Sequence, residues 1–554
     1  MNASTTLAKP SVHPHTNSQS FWWKGAVIYQ IYPRSFLDTN DDGVGDLAGI
    51  LSGLEYVASL GVDGIWISPF YTSPMKDFGY DIANYCDVDP IFGTLADFDA
   101  IIERAHELGL KVIIDQVYSH TSDQHPWFET SRKDRTNEKS DWYVWADAKP
   151  DGSPPSNWQS VFGGPAWEWD ARRKQFYLHN FLTEQPQLNV NNPEVQAALL
   201  ETTRFWLERN VDGFRLDAIN FSMHDTQLRD NPPSNKPIEA ITRSFDMQLH
   251  TYNQSQPEIP AFLQKVRTLL DSYGAKFTVA EVGGDDPIHE MKAFTHGEKH
   301  LNSAYNFDFL YAEKLTTEGI MKSVNMWDGN SEEGWPSWAF SNHDAPRAVS
   351  RWIPHEEHPQ ASHTLMMLLM SLRGNPIIYQ GEELGLPQAH VPFDKLVDPE
   401  AIVNWPHTLG RDGARTPLPW HHDKPHAGFS NEEPWLPVDD NHYPLSINQQ
   451  NQDNSSCLNA VKKLVKLRKT IPALSIGDQT FIPQSDGILV FIRKSGQERI
   501  LCGYNLTDEH VFIDIQENLE LIATEAGPTS PNSPFTNKLA PWSGFWARLI
   551  TQTE

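Results

Sequence analysis

The sequence predicts an α/β protein, a (β/α)8 TIM barrel with a β-rich domain inserted after strand 3 and an antiparallel β-domain at the C-terminus. Three observations lead there. Short apolar runs alternate with helical patterns over most of the chain, as in βα units around a parallel sheet. There are eight such runs, the number that economically closes a barrel. Two connections are too long for ordinary βα loops, and the last part of the chain changes to period-two alternation.

In order, the strand candidates are AVIYQIYP, DGIWISPF, KVIIDQVYS, GFRLDA, KFTVAEV, AYNFDF, WAFSNHD and NPIIYQGEE. Each is apolar, as strands buried on both faces must be. A helical pattern from Leu95 to Leu108 precedes the third. TLMMLLMSL around Leu368 is too short to cross a bilayer and reads as a buried helix. Residues 120–189 hold turn-rich text such as KPDGSPPSNW and form the predicted insertion. The stretch from about Glu382 to Tyr443, full of Pro, Asp, Gly and Trp, is expected to make a lid or rim. After a helix around Val461 to Leu467, GILVFIRK and RILCGYNL announce the β-domain, placed at 475–554. The barrel is thus assigned to 21–119 and 190–474. Residues 1–20 lack a basic n-region and an apolar h-region and read as a flexible tail.

A net charge of −28 argues against nucleic acid and against an anionic membrane surface as partners. Cys86, Cys457 and Cys502 are far apart and odd in number, so neither a disulfide framework nor a zinc site is indicated. A cytoplasmic address is the simplest placement. A monomer or a homodimer is expected.

Three acids fall at the ends of strand candidates: Asp217 in GFRLDAIN, Glu281 in KFTVAEVGG and Asp344 in WAFSNHD. Carboxylates there point into the mouth of a barrel, where that fold does its chemistry. Two facing carboxylates are what glycosidic cleavage needs, one to attack carbon and one to protonate the leaving oxygen. Arg215, two residues before Asp217, leaves the same strand face and can hold it ionised.

With these strands aligned, the chain resembles the α-amylase superfamily of glycoside hydrolases, and within it the α-glucosidase and oligo-1,6-glucosidase branch. The resemblance runs from Trp22 to the C-terminus and rests on several separate motifs in the right order, DQVYSH, GFRLDAIN, AEVGG and SNHD, with the accessory QPQLN. It implies Asp217 as nucleophile, Glu281 as acid/base and Asp344 as the third carboxylate. It further implies that His120 and His343 bond the terminal glucose, that Tyr80 stacks on it, and that Asp81 and Arg411 close the far end of the pocket. Small α-glucosides would be the substrates.

DTNDDGVGD offers alternating oxygen ligands from Asp38, Asn40, Asp42, the Val44 carbonyl and Asp46. The spacing suits Ca²⁺, or Mg²⁺ with waters, and matches a metal site of the glucosidase branch. The chain departs from the family pattern at Ser119, where Asn is common, at Ala280, where Gly is, and at Gln187, where QPDLN has Asp. Ala218, in place of the Val that accompanies α-1,6 preference in the family, implies α-1,4 hydrolysis of maltose-like sugars. The alternatives are an oligo-1,6-glucosidase, a glucosyltransferase or isomerase acting on sucrose or maltose, or a non-catalytic transporter subunit. The RLDRD motif of sucrose isomerases is absent. So is the transmembrane helix of the accessory subunits, whereas all three acids are present.

Overall fold

The computed structural model describes residues 21–327, 334–353, 360–406, 410–515, 517–530 and 533–550. The N-terminal tail predicted at 1–20 lies outside them. Eight parallel strands close into a barrel: β1 (Ile28–Ile31), β2 (Gly64–Ile67), β3 (Lys111–Val117), β4 (Gly213–Asp217), β5 (Phe277–Val282), β6 (Ser303–Asn306), β7 (Trp335–Ala339) and β8 (Asn375–Tyr379). Each pairs with its neighbours in sequence, and β8 returns to β1 through Ile28↔Ile377. All eight expected strands are present. Almost every residue in them is buried, which explains why they read as continuous apolar runs.

Helices follow the strands: α1 (Leu47–Ser59), α2 (Leu95–Glu107), α3 (Pro193–Leu207), α4 (Ile259–Asp271), α5 (Pro287–Thr295), α6 (Thr317–Asn325) and α7 (Ala361–Ser371). Local chemistry sets their starts. Asp46 caps α1 by accepting from Gly49 N, and Thr94 with Asp97 forms a capping box on α2. Side chains alternate along each strand, so the barrel has two cores. Ile28, Trp66, Ile113, Val279, Trp335 and Ile377 fill its interior. Residues of opposite parity, such as Tyr29, Ile65, Phe214 and Ile378, pack outward under the helices.

Between β3 and α3 lies a three-stranded antiparallel sheet of Trp145–Ala146, Gln175–Leu178 and Trp167–Asp170. After helix α8 (Cys457–Thr470), a six-stranded antiparallel sheet is built around Ile488–Ser495, Glu498–Asn505 and Ser543–Leu549. Among the described residues no helix is long and apolar enough to cross a membrane.

Candidate active site

The period of two along β4 and β5 turns Arg215, Asp217, Val279 and Glu281 into the barrel. Strand register then sets Arg215 between Asp115 and Val279, and Glu281 beside Tyr305. Asp217 is the last residue of β4 and Glu281 the last but one of β5. Asp344 does not end a strand as expected. β7 stops at Ala339, and Asp344 stands on the loop beyond it.

Arg215 is fully buried and organises the acids. Its Nη1 donates to Asp115 Oδ1 at 2.6 Å and to Asp217 Oδ1 at 2.5 Å, and its Nε to Tyr305 Oη at 3.1 Å. Nη2 lies 2.5 Å from Glu281 Oε1 but has no aligned hydrogen-bond acceptor. Glu281 therefore feels the charge without a directed bond from the arginine. It accepts instead from Tyr305 Oη and from Ala218 N, each at 3.1 Å. Ala218 adopts a left-handed conformation, φ 38° and ψ 43°, uncommon for a residue with a Cβ. Asp115 is pinned from its other side by Trp66 Nε1 at 2.7 Å.

Burial pushes Asp217 up to about 7, with Arg215 opposing and Asp115 and Asp344 adding to the rise. Burial likewise pushes Glu281 up to about 7, again against Arg215 and with help from Asp217 and Asp344. The directed bond from Arg215 Nη1 favours the ionised form of Asp217. Asp344 is different. Burial pushes its carboxyl up, but His343, Arg415, Arg411 and Arg215 outweigh burial and hold it well below the usual range.

These acids open on a cavity of about 680 Å³ that is also lined by Tyr80, His120, Ala218 and Arg411. Tyr80 Oη lies 2.6 Å from His343 Nε2, and the two rings stack with planes 8° apart. His343 is fully buried, its Nδ1 met by Gln30 Nε2 at 2.8 Å and its Nε2 also 3.1 Å from Asp344 Oδ2. Burial lowers it to about 3 and His120 to about 4, so both rings are neutral. Ser119 Oγ lies 2.9 Å from His120 Nδ1. Ala280 is fully buried, in register with Leu216 and Ala304.

Asp81 is the correction. Its carboxylate turns away from the cavity and accepts from Ser73 Oγ, Lys76 N and Asp77 N, each at 2.9 Å. Asp77 takes the wall position, 3.0 Å from Arg411 Nη2 and 3.0 Å from Gln185 Nε2. Positive φ angles at Phe78 and Gly79 reverse the chain between them. Arg411 is held by Asp398 Oδ1 at 2.7 Å as well. Sequence reasoning also passed over Arg415, which donates from Nη2 to Asp344 Oδ1 at 2.7 Å. The motif LGRDGARTP carries both arginines, so the signal was there. Arg243 and Glu400, paired at 2.9 Å across the cavity lining, come from separate long loops and had no such signal.

The acidic loop before α1 is knit to itself. Asp38 accepts from the N–H groups of Asn40, Asp41 and Gly43, and from Ser430 Oγ. Asp42 accepts from Val44 N and from Asn40 Nδ2, and Asp46 holds Thr39 besides capping α1. Among the described residues no three Asp, Glu, His or Cys side chains gather as a metal cage.

Comparison with known proteins identifies the family. The family model of the alpha amylase catalytic domain matches residues 30–477. A probable alpha-glucosidase of Rhizobium meliloti is 49% identical over 536 residues, covering 95% of this chain and 97% of that protein. An oligo-1,6-glucosidase of Parageobacillus thermoglucosidasius is 36% identical, with coverage of 88% and 91%. The crystal structure of an alpha-glucosyl transfer enzyme, XgtA, superposes with a TM-score of 0.91 at 46% identity, covering 96% of this chain and 100% of that one. The chain belongs to the α-amylase family of glycoside hydrolases, in its α-glucosidase branch, and acts on α-glucosides.

Proposed function

We propose that the protein is a retaining, exo-acting α-glucosidase that releases terminal α-1,4-linked glucose from maltose and short oligosaccharides. The observation that carries the retaining mechanism is the shared guanidinium: Asp217 and Glu281 each lie 2.5 Å from one of the two Nη atoms of Arg215. That clamp favours the close spacing of about 5–5.5 Å used by retaining enzymes over the wider gap that admits a water. Asp217 attacks the anomeric carbon and forms a β-glucosyl ester, while Glu281 gives its proton to the departing oxygen. Glu281 then takes a proton from water, which opens the ester and restores the α configuration. Asp344, kept ionised by Arg415 and Arg411, binds sugar hydroxyls and stabilises the cationic transition state. Tyr80 and His120 line the glucose end, and the Asp77–Arg411–Asp398 cluster closes it.

The linkage preference is tested at Ala218, which lines the cavity next to the nucleophile. Ala218→Val is expected to raise the isomaltose-to-maltose ratio of kcat/KM by roughly 10-fold or more, the scale of one pocket group. Absolute rates should fall too, because a β-branched residue resists the left-handed backbone there. A wild type that prefers isomaltose would remove the α-1,4 claim. Glucosyl transfer is a second reading, favoured by the similarity to XgtA, and product analysis at high maltose separates it from hydrolysis.

A structural Ca²⁺ or Mg²⁺ at Asp38, Asn40, Asp42, the Val44 carbonyl and Asp46 is proposed separately. The donors are all oxygen, which fits a hard cation, and the ion would replace bonds the loop now makes to itself. Calcium should raise Tm by a few degrees over protein in EDTA. Equal Tm values would reduce the loop to a set of turns capping α1.

A further inference from the structure

One departure from the family pattern, Gln187, takes part in a chain of buried amides with a single polarity. Asn231 Nδ2 donates to Asn253 Oδ1 at 2.8 Å, and Asn253 Nδ2 to Asn180 Oδ1 at 3.0 Å. Asn180 Nδ2 donates to Gln187 Oε1 at 2.9 Å, and Gln187 Nε2 ends the chain on the Phe221 carbonyl at 2.7 Å. All four amides are at most 4% exposed. Every link runs from N–H to oxygen in the same direction, so each member needs both a donor and an acceptor.

The chain ties three separate segments together. Asn180 belongs to the insertion between β3 and α3, Asn231 and Asn253 to the long loop after β4, and Phe221 to the turn that follows Asp217. Phe221 lines the cavity with Phe181, their ring centroids 5.2 Å apart, as do Gln254 and His250 from the same long loop. The amide side chains bond to neither Asp77 nor Arg411, whose partners include Gln185 and Asp398, while the Gln187 backbone bridges to that of His120. A carboxylate at position 187 could accept from Asn180 but could not donate to Phe221, leaving a buried carbonyl unpaired and a buried charge beside it.

We propose that Gln187 is a positioning residue for the aglycone wall: through the amide chain it fixes Phe221 and the 231–254 loop where the leaving sugar must lie. This rests on the glucosidase reading above, with Asp217 and Glu281 as the reacting pair. The residue touches neither carboxylate, so its effect should depend on the size of the leaving group.

The test compares Gln187→Glu with wild type on maltose and on α-glucosyl fluoride, whose leaving group is one atom. The expected result is a loss of about 10-fold or more in kcat/KM on maltose, carried mainly by KM. On α-glucosyl fluoride kcat/KM should stay within about 2-fold of wild type. Asn180→Asp, which removes the Nδ2 donor to Gln187 one link earlier, should give the same split if Gln187→Glu fails to fold. Equal losses on both substrates, or no loss on maltose, would overturn the proposal. Failure of the underlying reading is distinct, since it appears in wild type as turnover of the fluoride without turnover of any α-glucoside disaccharide.

Discussion

Asp217→Asn is expected to lower kcat on maltose by roughly 10⁴- to 10⁶-fold, the scale seen when a nucleophile is removed. Asn nearly matches Asp in shape and still accepts from Arg215, whose Nη1 lies 2.5 Å away, so the fold should survive. The loss therefore reports chemistry and not collapse, and a Tm close to wild type checks this. Asp217→Ala extends the test with an external nucleophile. Azide entering from the vacated side should attack with one inversion and yield β-glucosyl azide from an activated α-glucoside. The α-azide would mean that Asp217 does not stand on the face opposite the leaving group.

Glu281→Gln is expected to cost roughly 10²- to 10⁴-fold in kcat/KM on maltose, the usual worth of a general acid. The cost should shrink sharply on α-glucosyl fluoride, which leaves with little protonation. The pH profile gives the sign. Burial pushes both Asp217 and Glu281 to about 7, and the proposed mechanism works with Asp217 ionised and Glu281 protonated. As pH falls, a second proton binds and the nucleophile is lost; as pH rises, the single proton leaves and the acid is lost. Wild-type kcat/KM should therefore be bell-shaped around neutrality, and Glu281→Gln should lose the alkaline limb. An alkaline limb that persists in the variant would assign the proton to another group.

The barrel was legible in the sequence because strands buried on both faces leave uninterrupted apolar runs. The same logic placed Asp217 and Glu281, since strand periodicity fixes which way the side chains at 215, 217 and 281 point. It failed where geometry depends on turns. Nothing in DFGYDIANY marks Phe78 as a residue with φ near 50°, yet that turn puts Asp77 and not Asp81 on the cavity wall. Asp344 was found by its motif although its strand ends earlier, at Ala339. Arg415 was visible but outcompeted by Arg411 in the same motif. Arg243 with Glu400, and the amide chain ending at Gln187, join segments far apart in the chain, and no local pattern encodes such meetings.

The most direct test of the account is intact and peptide mass spectrometry of Glu281→Gln after brief exposure to α-glucosyl fluoride. The fluoride can form the ester without an acid, and the missing base should let it accumulate. A mass gain of one glucosyl unit, located on the peptide bearing Asp217, is the result predicted. Rapid hydrolysis of the fluoride with no adduct at all, releasing β-glucose as the first product, would contradict it and point to direct attack by water.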